Sequence, residues 1–135
     1  MGDEFVVDTH ALIWFLEGNP RLGTRARSVL EDANSVLYLP VIALAEACWI
    51  VDRGRTGIPS VANLLADIHA DSRVVIVPLD HLIVERSLSL SVITEMHDRL
   101  IVATALHLGG SRNSALPILT VDGNITAAAL CPVVW

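Results

Sequence analysis

Lysine is absent from this chain: all nine basic residues are arginine. The absence removes several chemistries at once, because Walker-type phosphate loops, Schiff-base catalysis and Ser-Lys dyads each depend on a lysine amine. Cysteine is almost as scarce. Cys48 and Cys131 stand far apart with no C-x-x-C and no His/Cys ligand spacing, so neither a zinc site nor a disulfide framework is indicated, and both read as reduced core thiols. No run approaches the ~18 uninterrupted apolar residues that a membrane span needs, and residues 1–7 carry Asp3 and Glu4 where a signal peptide would carry positive charge, so a soluble cytoplasmic protein is expected. Charged residues amount to 18% and leave a formal net charge of −6, which argues against a broad phosphate-binding surface. Any nucleic acid held here needs the help of metal ions.

What the chain has in abundance is apolar sequence, 53% of 135 residues, enough for one domain spanning 1–135 to bury a core without cross-links. The low charge leaves apolar surface beyond a monomer's needs, and self-association is the expected outlet. Residues 4–8 read as a short buried strand and 10–17 as a helix broken at Gly18-Asn19-Pro20. A second helix is predicted over about 21–32, a strand over 35–39, and a helix over 41–52 so apolar that it should be covered on most sides. Further helices are expected at 60–69, 81–90 and 98–108, strands at 73–79, 117–121 and 132–135, a loop at 111–115 and a turn at Asp122-Gly123-Asn124. Strands alternating with helices imply a parallel sheet with helices on both faces, and a ligand crevice beyond the carboxyl ends of the strands.

Three acids are lone charges in apolar segments. Asp8 is the only charged side chain between Glu4 and Glu17, Glu46 the only one between Asp32 and Asp52, and Asp122 the only one after Arg112. A carboxylate taken out of water costs several kcal/mol unless something positive compensates, and too few arginines lie nearby in sequence to pair all three. Asp8 and Asp122 end predicted strands and Asp98 opens a predicted helix, so all three converge on the rim where crossover helices begin. Each also has an ordinary structural use: amide bonding at a strand end for Asp8, a helix cap for Asp98, a turn for Asp122. Glu46, solitary in mid-helix among Ala, Leu, Cys and Trp, has no such use. A carboxylate cluster without cationic partners repels itself, whereas a divalent ion keeps every ligand ionised; hard oxygen donors with no nearby Cys point to Mg²⁺ or Mn²⁺, ions suited to phosphodiester hydrolysis.

The segment Val7-Asp8-Thr9-His10-Ala11-Leu12-Ile13-Trp14 resembles the opening of PIN domains from VapBC-type toxin-antitoxin systems. His97-Asp98-Arg99-Leu100-Ile101-Val102-Ala103-Thr104-Ala105 resembles their third motif and Leu119-Thr120-Val121-Asp122 their fourth, in matching order along almost the whole chain. The resemblance implies an α/β/α sandwich around a parallel sheet, a Mg²⁺- or Mn²⁺-dependent endoribonuclease acting on single-stranded RNA or an RNA loop, a homodimer, and inhibition by a cognate antitoxin. It maps the acidic quartet onto Asp8, Glu46, Asp98 and Asp122, and assisting hydroxyls onto Thr9 and Thr120. Ala43 departs from the pattern, standing where related proteins commonly carry serine or threonine.

Arg99 and Arg112 are candidates for phosphate contact or for plain solvation, His10 and His97 adjoin the acidic rim, and Asn124 either reaches the metal or completes its turn. Trp14 and Trp49 read as core or interface anchors rather than base-stacking platforms. A phosphoaspartyl phosphatase or receiver domain is disfavoured by the missing lysine and by His10, which occupies the place where such phosphatases need an acid. A non-catalytic PIN-like module that uses its acidic pocket to bind a partner's arginine remains the alternative.

Overall fold

The computed structural model describes residues 2–110 and 114–135. Five strands form one all-parallel sheet in the order β3-β2-β1-β4-β5: β1 (Glu4–Val7), β2 (Val36–Pro40), β3 (Val74–Val77), β4 (Ile118–Leu119) and β5 (Val133–Val134). Between β1 and β2 run α1 (Thr9–Leu16) and α2 (Thr24–Glu31); between β2 and β3, α3 (Val41–Asp52) and α4 (Val61–Ala70). The return from β3 to β4 carries α5 (His81–Ser87) and α6 (Met96–Gly109), and α7 (Gly123–Ala128) precedes β5. The chain therefore moves outward from β1 to β3 and then jumps back across the sheet. Right-handed crossovers put the helices of the two directions on opposite faces, and the order reverses between β1 and β4.

The central strands are buried on both faces, which explains their unbroken apolar runs: Val6, Val7, Leu37, Leu39, Ile118 and Leu119 all lie in the core. Helix α6 is the buried one, with Leu100, Ile101, Val102, Ala103 and Ala105 sealed and the Thr104 hydroxyl donating to the Leu100 carbonyl at 2.7 Å. Helix α3 corrects the expectation of cover on most sides. Only Ala43, Ala47 and Val51 are buried, and Trp49 is 53% exposed beneath the Arg53 guanidinium, 3.8 Å from its ring centroid.

Helix α2 starts at Thr24 rather than near 21, because Asn19 holds the Arg21 amide with its side chain and the Leu22 amide with its carbonyl, turning the chain first. Gly23 then caps α2 against the last residue: a Cβ there would lie 2.4 Å from the Trp135 carbonyl carbon. Helix α6 begins two residues earlier than expected, and α5 ends earlier, at Ser87. The turn expected at 122–124 is the start of a helix, α7, absent from the sequence reading. Of the loop expected at 111–115, residues 111–113, and with them Arg112, lie outside the described residues. Both cysteines are free thiols, and burial pushes that of Cys131 up to about 11. No helix among the described residues is long and apolar enough to cross a membrane.

Candidate active site

Asp8 follows β1 directly and caps α1, its Oδ1 accepting from the Thr9 amide at 2.7 Å. Its Oδ2 accepts from the Thr120 hydroxyl at 2.6 Å, a bond that ties the ends of β1 and β4 together at the point where strand order reverses. Thr120 in turn accepts from the Asp122 amide at 3.0 Å. Asp122 repeats the arrangement one strand over: it caps α7, and its Oδ1 accepts from the amides of Asn124 at 2.8 Å and Ile125 at 3.0 Å. A short acid placed between strand and helix thus fixes its own rotamer with backbone donors and stays at the sheet's carboxyl edge.

Glu46 and Asp98 reach the same cleft from helices. Glu46 extends from the middle of α3, with His97 Nδ1 3.8 Å from its Oε2. Asp98 stands in the first turn of α6, where unpaired amides favour negative charge. The cleft measures about 420 Å³ and is lined by all four acids together with Glu95, His10, His97, Trp14 and Asn124. No arginine among the described residues lines it.

The crowding shows in the protonation of the acids. Burial pushes the Asp98 carboxyl up to about 6, with Asp122, Asp8 and Glu95 adding to the rise and the Asn124 side chain opposing it by hydrogen bonding. Asp8 is also raised, first by burial and then by Glu46 and Asp122, against the lowering influence of Thr120 and Thr9. Among the described residues no three His, Cys, Asp or Glu side chains are gathered as a ready metal-holding group. Carboxylates facing one cleft keep apart until a cation compensates their charge.

Several residues stand elsewhere than the sequence suggested. Thr9 is sealed in the core, its hydroxyl donating to the Ala43 carbonyl at 3.4 Å, so it supports the fold under the cleft instead of lining it. Arg99 is absent from the cleft lining, and its Nε donates to the Ile93 carbonyl. Glu95 lines the cleft although sequence reasoning passed over it; its spacing of three from Asp98, one helical turn, was the available signal. Trp14 forms part of the wall and meets Trp135 edge-on at 5.7 Å.

Residues 5–129 match the PIN domain family. The chain belongs to the PIN-domain family. Among curated proteins no sequence match is found. Solved structures with the same fold include VapC20 of Mycobacterium tuberculosis, a sarcin-ricin loop cleaving toxin, at 17% identity and a TM-score of 0.71 over 97% of this chain and 99% of that one. VapBC2 of Rickettsia felis, bound to a fragment of promoter DNA, gives 16% identity and a TM-score of 0.67 over 96% of both chains. DNA-bound VapBC of Salmonella typhimurium gives 16% and 0.62 over 98% of this chain and 97% of that one. At these identities the likeness is one of fold: this PIN domain is built on the same central parallel sheet.

Proposed function

We propose that this PIN domain is a Mg²⁺- or Mn²⁺-dependent endoribonuclease, the toxin of a toxin-antitoxin pair, with Asp8, Glu46, Asp98 and Asp122 as metal ligands and catalytic residues. One observation carries the reading: four carboxylates from four separate elements line a single cleft that no arginine among the described residues lines. The donor set is all hard oxygen, which suits these ions and not zinc. When bound there, Mg²⁺ or Mn²⁺ supplies charge compensation, polarisation of the phosphodiester and a lowered pKa for the attacking water.

The protein's own part is positioning. Thr120 and the Thr9 amide hold both oxygens of Asp8, and the α7 amides hold Asp122, so two ligands are set in direction before anything binds. Asn124 steadies Asp98 with its side chain while its amide steadies Asp122, coupling the two acids. Asp98, with a pKa of about 6, is poised to exchange its proton for a cation near neutral pH. The flanking apolar surface, with Leu88 71%, Val92 66% and Met96 67% exposed around the α5–α6 turn, supports a homodimer. The named structural relatives that are VapBC complexes support a cognate antitoxin as partner, acting in the cytoplasm where an RNA substrate is met.

The same absence of arginine from the described lining of the cleft favours one competing reading, a non-catalytic module whose acids receive a partner's arginine. Incubating the pure protein with a labelled RNA panel and Mn²⁺ or Mg²⁺, beside EDTA and Asp98→Asn controls, separates the two. Cleavage that needs both the metal and Asp98 establishes the nuclease. Intact RNA in every lane, from folded protein free of antitoxin, hands the cleft to the binding reading.

A further inference from the structure

The acid cleft does not end at Trp14. Beyond it lies a second cavity of about 290 Å³, which shares His10 and Trp14 as lining with the first and is closed on its far side by Asn19, Arg21, Arg55 and Thr56. Charge changes sign across that shared wall. On one side stand five carboxylates with His97; on the other, Glu17 and two guanidinium groups that enter no ion pair among the described residues. The nearby acid does not neutralise them. Glu17 is held by its own loops, accepting from Asn19 Nδ2 at 2.9 Å and from the Gly57 amide at 2.7 Å. Arg21 instead lies against the Trp14 ring, 5.9 Å from its centroid, and Trp14 is braced by Trp135.

Other arginines are committed elsewhere. Arg73 is locked to Asp71 at 2.8 Å, Arg99 to the Ile93 carbonyl, Arg27 to the Asn19 carbonyl at 3.2 Å, and Arg53 lies over Trp49. In a chain of net charge −6, the cavity beside the acids is where two guanidinium groups without an ion pair among the described residues, one of them already against the Trp14 ring, meet an aromatic face. That combination is how proteins hold single-stranded nucleic acid: guanidinium on phosphate, ring on base.

Building on the ribonuclease reading, we infer that this second cavity is the subsite for the nucleotide flanking the scissile phosphate, with Arg21 and Arg55 on its phosphate and Trp14 against its base. The substrate strand then crosses the His10–Trp14 wall, and its backbone leaves the acidic cleft for a cationic one. The acids select nothing but a phosphate that brings or meets a metal ion, so the strand's grip comes from the neighbouring cavity.

The test uses the whole chain and a labelled single-stranded 12-nucleotide RNA of mixed sequence in Mn²⁺, with Asp98→Asn as background to prevent cleavage. Fluorescence anisotropy across a salt series compares Arg21→Gln/Arg55→Gln, Arg21→Lys/Arg55→Lys and, as control, Arg25→Gln on the exposed face of α2. The Gln pair should weaken binding at least tenfold and lower the slope of log affinity against log salt by about 0.7, the value for one phosphate no longer neutralised on a single strand. The Lys pair should keep the slope, and Arg25→Gln should change neither. Equal affinity for the Gln pair, or equal loss in the Arg25→Gln control, overturns the subsite while leaving the nuclease reading intact. If the parent protein, with its melting temperature still raised by Mn²⁺, holds no RNA at all, the ribonuclease reading falls and the subsite with it. Melting temperatures of all variants separate lost contacts from lost folding.

Discussion

Removing one of the cleft carboxylates should make the metal-free protein more stable. Asp98 ionises in the unfolded chain near 3.8 and in the fold near 6, because burial and the neighbouring acids disfavour its charge. At ~1.4 kcal/mol per pH unit that displacement corresponds to roughly 3 kcal/mol at most, and solvent screening of this partly exposed side chain lowers the expectation to about 1–2 kcal/mol. The sign follows from proton counting. Between the two pKa values the folded state binds more protons than the unfolded one, so stability is lost as pH rises from about 4 to about 6 and the full penalty stands above that. Asp98→Asn keeps the shape and removes the charge. In EDTA at pH 7.5 its melting temperature should exceed that of the parent by roughly 3–8 °C, and near pH 4 the gain should vanish. With millimolar Mn²⁺ the order should reverse, since the parent alone keeps the full set of proposed ligands. Thermal unfolding followed by circular dichroism in those buffers reads all three. A variant less stable than the parent in EDTA at pH 7.5, or a gain indifferent to pH, would refute the reasoning.

The same proton should compete with metal: calorimetric Mn²⁺ affinity should fall as pH drops below about 6, approaching tenfold per pH unit, and an affinity flat between pH 5 and 7 would remove Asp98 from the ligand set. Thr120→Val deletes the hydroxyl that donates to Asp8 at 2.6 Å, and should cost about 1.5–3 kcal/mol in chemical denaturation as well as weakening Mn²⁺ binding, while Thr120→Ser should restore both; a Val variant as stable as the parent would contradict that bond. Gly23→Ala would set a methyl 2.4 Å from the Trp135 carbonyl carbon and should destabilise by about 1–3 kcal/mol, with most of the loss recovered when residue 135 is deleted; a loss that persists in the truncated chain would point to Gly23's backbone instead.

Sequence showed which acids would meet in one cleft because Asp8, Asp98 and Asp122 lie at or near element boundaries and Glu46 stands alone in an apolar helix, both of which are local signals. The span 41–52 of α3 was legible to the residue, and Asp8 was placed at a strand end because a charge cannot continue a buried strand. Arg99 misled because adjacency in sequence is not adjacency on a helix: a step of ~100° carries its side chain away from the cleft that Asp98 faces. Helix α7 escaped because Asp-Gly-Asn suits a turn and a helix start equally well; burial of Ile125, a tertiary event, selects the helix. The cover of α3 was misjudged for a related reason, since an apolar helix face left exposed reads in sequence the same as one packed in the core.

The bond from Thr120 to Asp8 closes a separation of 112 residues. The four acids Asp8, Glu46, Asp98 and Asp122 each come from a different element, two from strand ends and two from helices that the sheet must first bring together. No fragment can assemble the cleft: a stalled or clipped copy lacks some of its acids, and a misfolded one has the acids but not the cleft. For a protein proposed to destroy RNA, fold cooperativity then serves as a safety catch, confining harm to molecules that are whole and native.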